Sequence, residues 1–223
     1  MLTSTEIKAA QAFWKWFEEN RLPFEFVGNM EPEQVDEISD RIHEAVAPYC
    51  EAISPIAGSQ ISKKEGFRLV LSAAGQRAYF GKAKELAALA PDIPNWEVLA
   101  LLPPLPRDIQ IRYEYMGELI YPDDLWCQLL DSPDNPSFLG IHISLKLYDH
   151  CPDEEALQEL QSFIIQVVAQ VIGEESLAMD IQHLQLAPLP PYPTEQEGMF
   201  NLYDLPQQIA EFRKEHPSPW EGE

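Results

Sequence analysis

The apolar positions of the chain change period several times, and each change marks an element. Ile7, Ala10, Trp14 and Phe17 recur at helical spacing, and Thr3 and Glu6 stand three apart, as a capping box requires. Phe13 and Trp16 widen this stripe, so four aromatics fall within five residues. The spacing predicts a helix that ends at Pro23. Its stripe is expected to dock on a core, with a partner-binding helix as the alternative. A second helix starts near Pro32, a residue suited to a first helical turn. It buries Val35, Ile38, Ile42 and Ala45 or Val46 and stops at Pro48, with His43 beside the stripe as a surface residue.

Strand patterns follow. Phe67 to Ser72 reads as a strand closed by Ala73-Ala-Gly75. Tyr79, Ala83, Leu86 and Leu89 form a helical stripe ended by Pro91 and Pro94. Trp96 to Leu102 is apolar enough for a strand buried on both faces, and Pro103-Pro-Leu-Pro106 stops it. Ile109, Ile111, Tyr113 and Tyr115 alternate with Gln110, Arg112 and Glu114, the pattern of a half-buried strand. Met116-Gly117 turns that strand toward Leu119-Ile-Tyr121 as a hairpin. Pro122-Asp123-Asp124 starts a turn or short helix carrying Leu125, Trp126 and Leu129, and 132–136 is a loop by composition.

Leu139 to Leu147 alternates cleanly, with Ile141, Ile143, Leu145 and Leu147 on one side and His142, Ser144 and Lys146 on the other. Pro152-Asp-Glu-Glu155 places acids in the first turn of the longest helix, where the dipole favours them. Leu157, Leu160, Ile164, Val167, Val168 and Val171 form its stripe, and Gly173 ends it. Met179 to Ala187 is read as the last strand, before the proline run 188–193. A short helix, Pro206 to Lys214, precedes a tail from about 215 to 223 read as flexible.

Residues 67–106 and 139–193 echo each other: strand, helix, strand, proline-rich exit. The sequence therefore predicts an α+β fold. A mixed, largely antiparallel sheet of five to seven strands carries packed helices, with two pseudo-equivalent β-α-β halves sharing that sheet. A single domain over residues 1–223 is expected.

Composition refines this. The 223 residues are 45% hydrophobic, ordinary for a globular chain and against wholesale disorder. Twenty prolines fall mainly at element ends and read as punctuation. No apolar run approaches a spanning helix, and Met1 to Glu6 lacks the pattern of a signal peptide, so a cytoplasmic protein is expected. Three cysteines without a CxxC argue against a disulfide framework or a zinc knuckle.

The formal charge is −22. Segments 1–50, 51–105, 106–150 and 151–223 carry −6, +1, −5 and −12, so the C-terminal third is strongly acidic. Lys63, Lys64, Arg68, Arg77, Lys82 and Lys84 make the one basic stretch. Phosphates would be repelled, which turns the reading away from nucleic acid and anionic membranes and toward a basic protein partner.

Phe13-Trp-Lys-Trp-Phe17, Leu69-Val-Leu-Ser-Ala-Ala-Gly75, Pro94-Asn-Trp-Glu-Val98, Leu139-Gly-Ile-His-Ile143 and Gly173-Glu-Glu-Ser-Leu-Ala-Met-Asp-Ile181 resemble blocks of a family of uncharacterised bacterial proteins. The resemblance covers most of the chain, up to Tyr203-Asp-Leu-Pro206. It implies one full-length domain of bacterial type. That family has no assigned activity, so no functional residue is carried over.

Tested for chemistry, the chain has no GxGxxG, P-loop, HExxH, GxSxG or EF-hand loop. His142 and His183 lie on predicted strands near Asp149 and Asp180. If those strands are neighbours, two imidazoles and a carboxylate can share a face and ligate a metal such as zinc. Asp149-His150-Cys151 reads as a helix-entry turn, since adjacent carboxylates oppose thiol activation. Asp123 and Asp124 read as a turn and cap signal. The expected binding surface is acidic: Glu154, Glu155, Glu159, Glu174, Glu175 and Asp180.

The sequence reading is thus a non-catalytic interaction module of immunity, inhibitor or regulatory type. It binds a basic protein through an acidic face and needs no cofactor. The alternative is a metal-assisted hydrolase using His142, His183 and Asp180. A third reading, mimicry of nucleic acid, would space carboxylates like phosphates.

Overall fold

A computed structural model describes residues 2–59, 66–109, 111–132, 134–193, 198–218 and 220. Lys63 and Lys64 of the basic stretch, Gln110, Pro219 and residues 221–223 of the predicted tail lie outside the described residues. The fold is α+β, and the chain divides into two compact units, 1–103 and 104–223.

In the first unit, helix α1 (Ser4–Asn20) starts at the predicted capping box. The Thr3 hydroxyl accepts from the Glu6 N–H, while the Glu6 carboxylate accepts from the Thr3 N–H at 2.7 Å. Two of the orphan amides at the helix start are thereby satisfied. Helix α2 (Pro32–Val46) follows a 3₁₀ stretch, Leu22–Asn29, that contains Pro23. Strands β1 (Ser54–Ser59), β2 (Phe67–Ser72) and β3 (Trp96–Ala100) form a sheet in that order, with helix α3 (Phe80–Ala88) as the crossover between β2 and β3. β1 runs antiparallel to β2, and β3 parallel to it.

The aromatic stripe of α1 belongs to this core. Phe13, Trp14 and Phe17 are buried, and the Phe17 ring meets Trp96 edge-on at 5.0 Å. The Trp14 indole N–H donates to the Leu86 carbonyl of α3 at 3.1 Å, so its one donor is met inside the fold. The alternative of α1 as an exposed partner-binding helix is therefore corrected.

In the second unit, β4 (Tyr113–Tyr115) and β5 (Glu118–Ile120) form a hairpin. Met116 and Gly117 both take positive φ, 52° and 80°, as a two-residue turn of matching twist demands. A four-stranded sheet has the order β8-β7-β6-β9, from β6 (Trp126–Asp131), β7 (Leu139–Leu145), β8 (His183–Pro188) and β9 (Phe200–Asn201). β6 is antiparallel to β7 and β9, and β7 is parallel to β8. Helix α4 (Glu154–Ile172) and the shorter α5 (Glu174–Asp180) make the crossover, and α6 (Leu205–Glu215) follows the sheet. Leu160, Ile164, Val167 and Val171 of α4 pack with Ile141, Ile143 and Leu145 in one core. The chain is still held near its end, where the buried Ser218 hydroxyl donates to the Met179 carbonyl at 2.8 Å.

Several expectations are corrected. Each β-α-β half builds its own sheet, so among the described residues there are sheets of three, two and four strands rather than one of five to seven. β3 is an edge strand with Glu97 exposed, not a strand buried on both faces. Trp126 to Asp131 is a strand, not the continuation of a turn or helix, and Met179 and Asp180 close α5 instead of opening β8.

Candidate functional site

The two predicted histidines do share a sheet face. β7 and β8 are parallel neighbours with Gly140 opposite His183 and His142 opposite Gln185. Both side chains therefore stand on the face away from Ile141 and Ile143, two positions apart along the ladder. His183 is exposed; His142 is half-buried, and its Nε2 has no hydrogen-bond partner among the described residues.

Asp180 does not join them as a free ligand. Its Oδ1 accepts from Arg213 Nε at 3.1 Å and its Oδ2 from the Ser176 hydroxyl at 2.8 Å. The same Arg213 guanidinium donates to the carbonyls of Asp180, Ser137 and His216. Its side chain is 10% exposed, so Asp180 completes a structural tie between α5, α6 and the loop before β7. Among the described residues no group of three or more His, Cys, Asp and Glu side chains is placed to hold a metal ion.

The predicted acidic surface separates into parts. Glu154, Glu155 and Glu159 are exposed on the first turns of α4, whose N-cap Asp153 accepts from the Ala156 N–H at 2.9 Å. Glu175 is exposed beyond the other end of that 19-residue helix, which is roughly 28 Å long. Glu174 is only 4% exposed and is engaged within the fold, so it presents no charge outward. Sequence proximity misled because α4 lies between the two groups.

Two of the cysteines sit where the thiolate is disfavoured. Burial and then Asp153 push the Cys151 thiol up, and its S–H donates to the Leu147 carbonyl. Cys127 is wholly buried in the second core, which pushes its thiol far above the usual range.

A cleft of about 230 Å³ gathers residues that the sequence offered only singly. Glu118, Leu119 and Ile120 come from β5, Asp124 and Leu125 from the 3₁₀ turn Pro122–Asp124 and its exit, and Leu145 from the end of β7. Lys146, Leu147 and His150 come from the 3₁₀ turn Lys146–His150. Ile120, Leu125 and Leu145 are buried and floor the cleft, while Leu119 is 49% exposed. Among the described residues the carboxylates of Glu118 and Asp124 have no ion-pair partner.

The hairpin that forms one side is anchored on α4. Tyr113 and Tyr115 pack on Phe163 with ring centroids at 6.0 and 4.8 Å, and the Tyr113 hydroxyl donates to Gln170 Oε1 at 3.0 Å. Burial pushes the Tyr113 phenol up to about 12, so it stays a donor at neutral pH. The first unit has its own, more open groove between α1 and α2, lined by Ala12, Trp16, Arg41, Glu44, Ala45 and Pro48.

Sequence reading noticed Asp123-Asp124 and His150 but missed Glu118 and Lys146 as their neighbours. The Met116-Gly117 turn places Glu118 opposite Tyr115, and no sequence signal joins it to Asp124 or to residues 146–150. No family model, no curated protein and no solved structure matches this chain.

Proposed function

We propose that the chain is a non-catalytic interaction module, of immunity, inhibitor or regulatory type, whose second unit binds a basic protein. The observation that carries this reading is how the charge divides. Residues 104–223 hold 22 acidic and 5 basic residues, a net −17, against 15 and 10, a net −5, in residues 1–103. Two of the five cations are already committed, Arg107 to Asp204 and Arg213 to Asp180. A surface of this sign repels phosphate backbones and speeds the encounter with a cationic protein. The free thiols of Cys50, Cys127 and Cys151 suit a reducing compartment, and the reading places the protein in a bacterial cytoplasm.

The test is affinity capture from the source organism at low salt, then binding kinetics with the purified partner. The expected partner is basic, and its association rate falls roughly tenfold or more between about 0.05 and 0.5 M NaCl. A partner whose association ignores salt, or none at low salt, overturns the reading.

One observation favours the alternative of a metal-assisted hydrolase: His142 and His183 share a face. Zinc titration separates the two readings. Heat of binding that vanishes in His183→Ala would favour the metal site, and no heat removes it.

A further inference from the structure

We infer that the cleft between β5 and the turns 122–124 and 146–150 is the anchor pocket for one arginine or lysine side chain of a basic protein partner. This rests on the reading above and gives it a place. At about 230 Å³ the cleft is smaller than the ~300–1,000 Å³ usual for small-molecule sites and on the scale of one long side chain. Its floor is apolar, from Ile120, Leu125, Leu145 and Leu147, which suits an aliphatic stem. Glu118 and Asp124 line it with carboxylates not already neutralised by an ion pair among the described residues, which suits the cationic head.

The exposed Leu119 adds an apolar lip of the kind that keeps water from a buried anchor. The unit around it carries −17, so the long-range field delivers the cation that the cleft accepts. Lys146 also lines the cleft and has the guest's own sign, so it weakens binding.

The experiment titrates the full chain with fluorescein-labelled deca-arginine at low salt, following anisotropy. Glu118→Gln with Asp124→Asn should weaken binding by about tenfold or more. Asp131→Asn with Glu215→Gln removes the same charge from exposed positions outside the cleft and should weaken it less than about threefold. Lys146→Ala should tighten it about two- to threefold. Equal weakening by the two double variants overturns the pocket and leaves the acidic reading standing. No binding of deca-arginine by the wild-type chain overturns both. A peptide of alternating norleucine and serine that binds as tightly as deca-arginine, and is lost in Leu119→Ser, overturns the cationic guest in favour of an apolar one.

Discussion

Arg213 ties α5, α6 and the loop before β7 together through four hydrogen bonds. Its guanidinium serves one carboxylate oxygen and three carbonyls, and its charge lies 5.3 Å from the Phe212 ring. Truncation would strand all of these acceptors in a site with little water. Arg213→Ala is expected to cost about 3 kcal/mol in urea unfolding. Asp180→Asn keeps an oxygen for the guanidinium and should cost about 1 kcal/mol.

Glu6 makes a different prediction. Lys82 donates to its carboxylate, and the N–H and hydroxyl of Thr3 add two further hydrogen bonds, so its carboxyl is held down to about 2 from the ordinary 4.5. A lowered folded value means that the unfolded chain takes up the proton first. The contribution to stability is present above about pH 4.5 and is lost as pH falls toward 2. Urea midpoints of Glu6→Gln measured from pH 2 to 6 should converge on the wild type at the acid end and fall below it above pH 4.5.

At the scale of elements, legibility followed how far each stretch carried its own signal. α1 and α4 were readable because cap, stripe and terminator agree. β7 was readable because Ile141, Ile143 and Leu145 alternate with polar or small neighbours. β1 was not, because Pro55 and Gly58 interrupt its pattern; the proline, which has no N–H for a ladder, is accommodated because the strand lies at a sheet edge. β6 was hidden because Leu125, Trp126 and Leu129 suit a helix as well as a strand, and only pairing with β7 decides between them.

α5 is not legible in the sequence, because Gly173 reads as the end of the helical stretch. It is instead a joint between two helices, with φ 87° and ψ 150°. That backbone region is open almost only to glycine. Gly173→Ala should therefore destabilise by about 1–3 kcal/mol in chemical denaturation, with far-UV circular dichroism otherwise unchanged. The cleft was the least legible feature of all. It is assembled from three segments between residues 118 and 150, and none of them bears a motif.

At the scale of the molecule, the two units repeat one scheme with different charge. Each sets an antiparallel strand beside a parallel β-α-β pair: β1 beside β2-α3-β3, and β6 beside β7-α4-α5-β8. The second unit bears −17 and works against its own repulsion when it folds. Added NaCl should therefore raise its melting temperature, by about 3–6 °C between 0.02 and 0.3 M, a gain of ~1 kcal/mol. The first unit should move less. Fluorescence follows each unit once the tryptophans of the other are replaced by phenylalanine: Trp14, Trp16 and Trp96 lie in the first unit and Trp126 and Trp220 in the second.

The burial of Cys127 has a consequence for such measurements. Its sulfur lies inside the second core, whose packing must open before a reagent can reach it. Alkylation in native buffer is therefore gated by opening of that core. With reagent in the limit where reclosing is faster than capture, the labelling rate divided by that of an unprotected thiol gives the opening equilibrium directly. The chain thus carries its own gauge of second-unit stability, readable by mass without denaturant, and a bound partner would register on it as a slower clock.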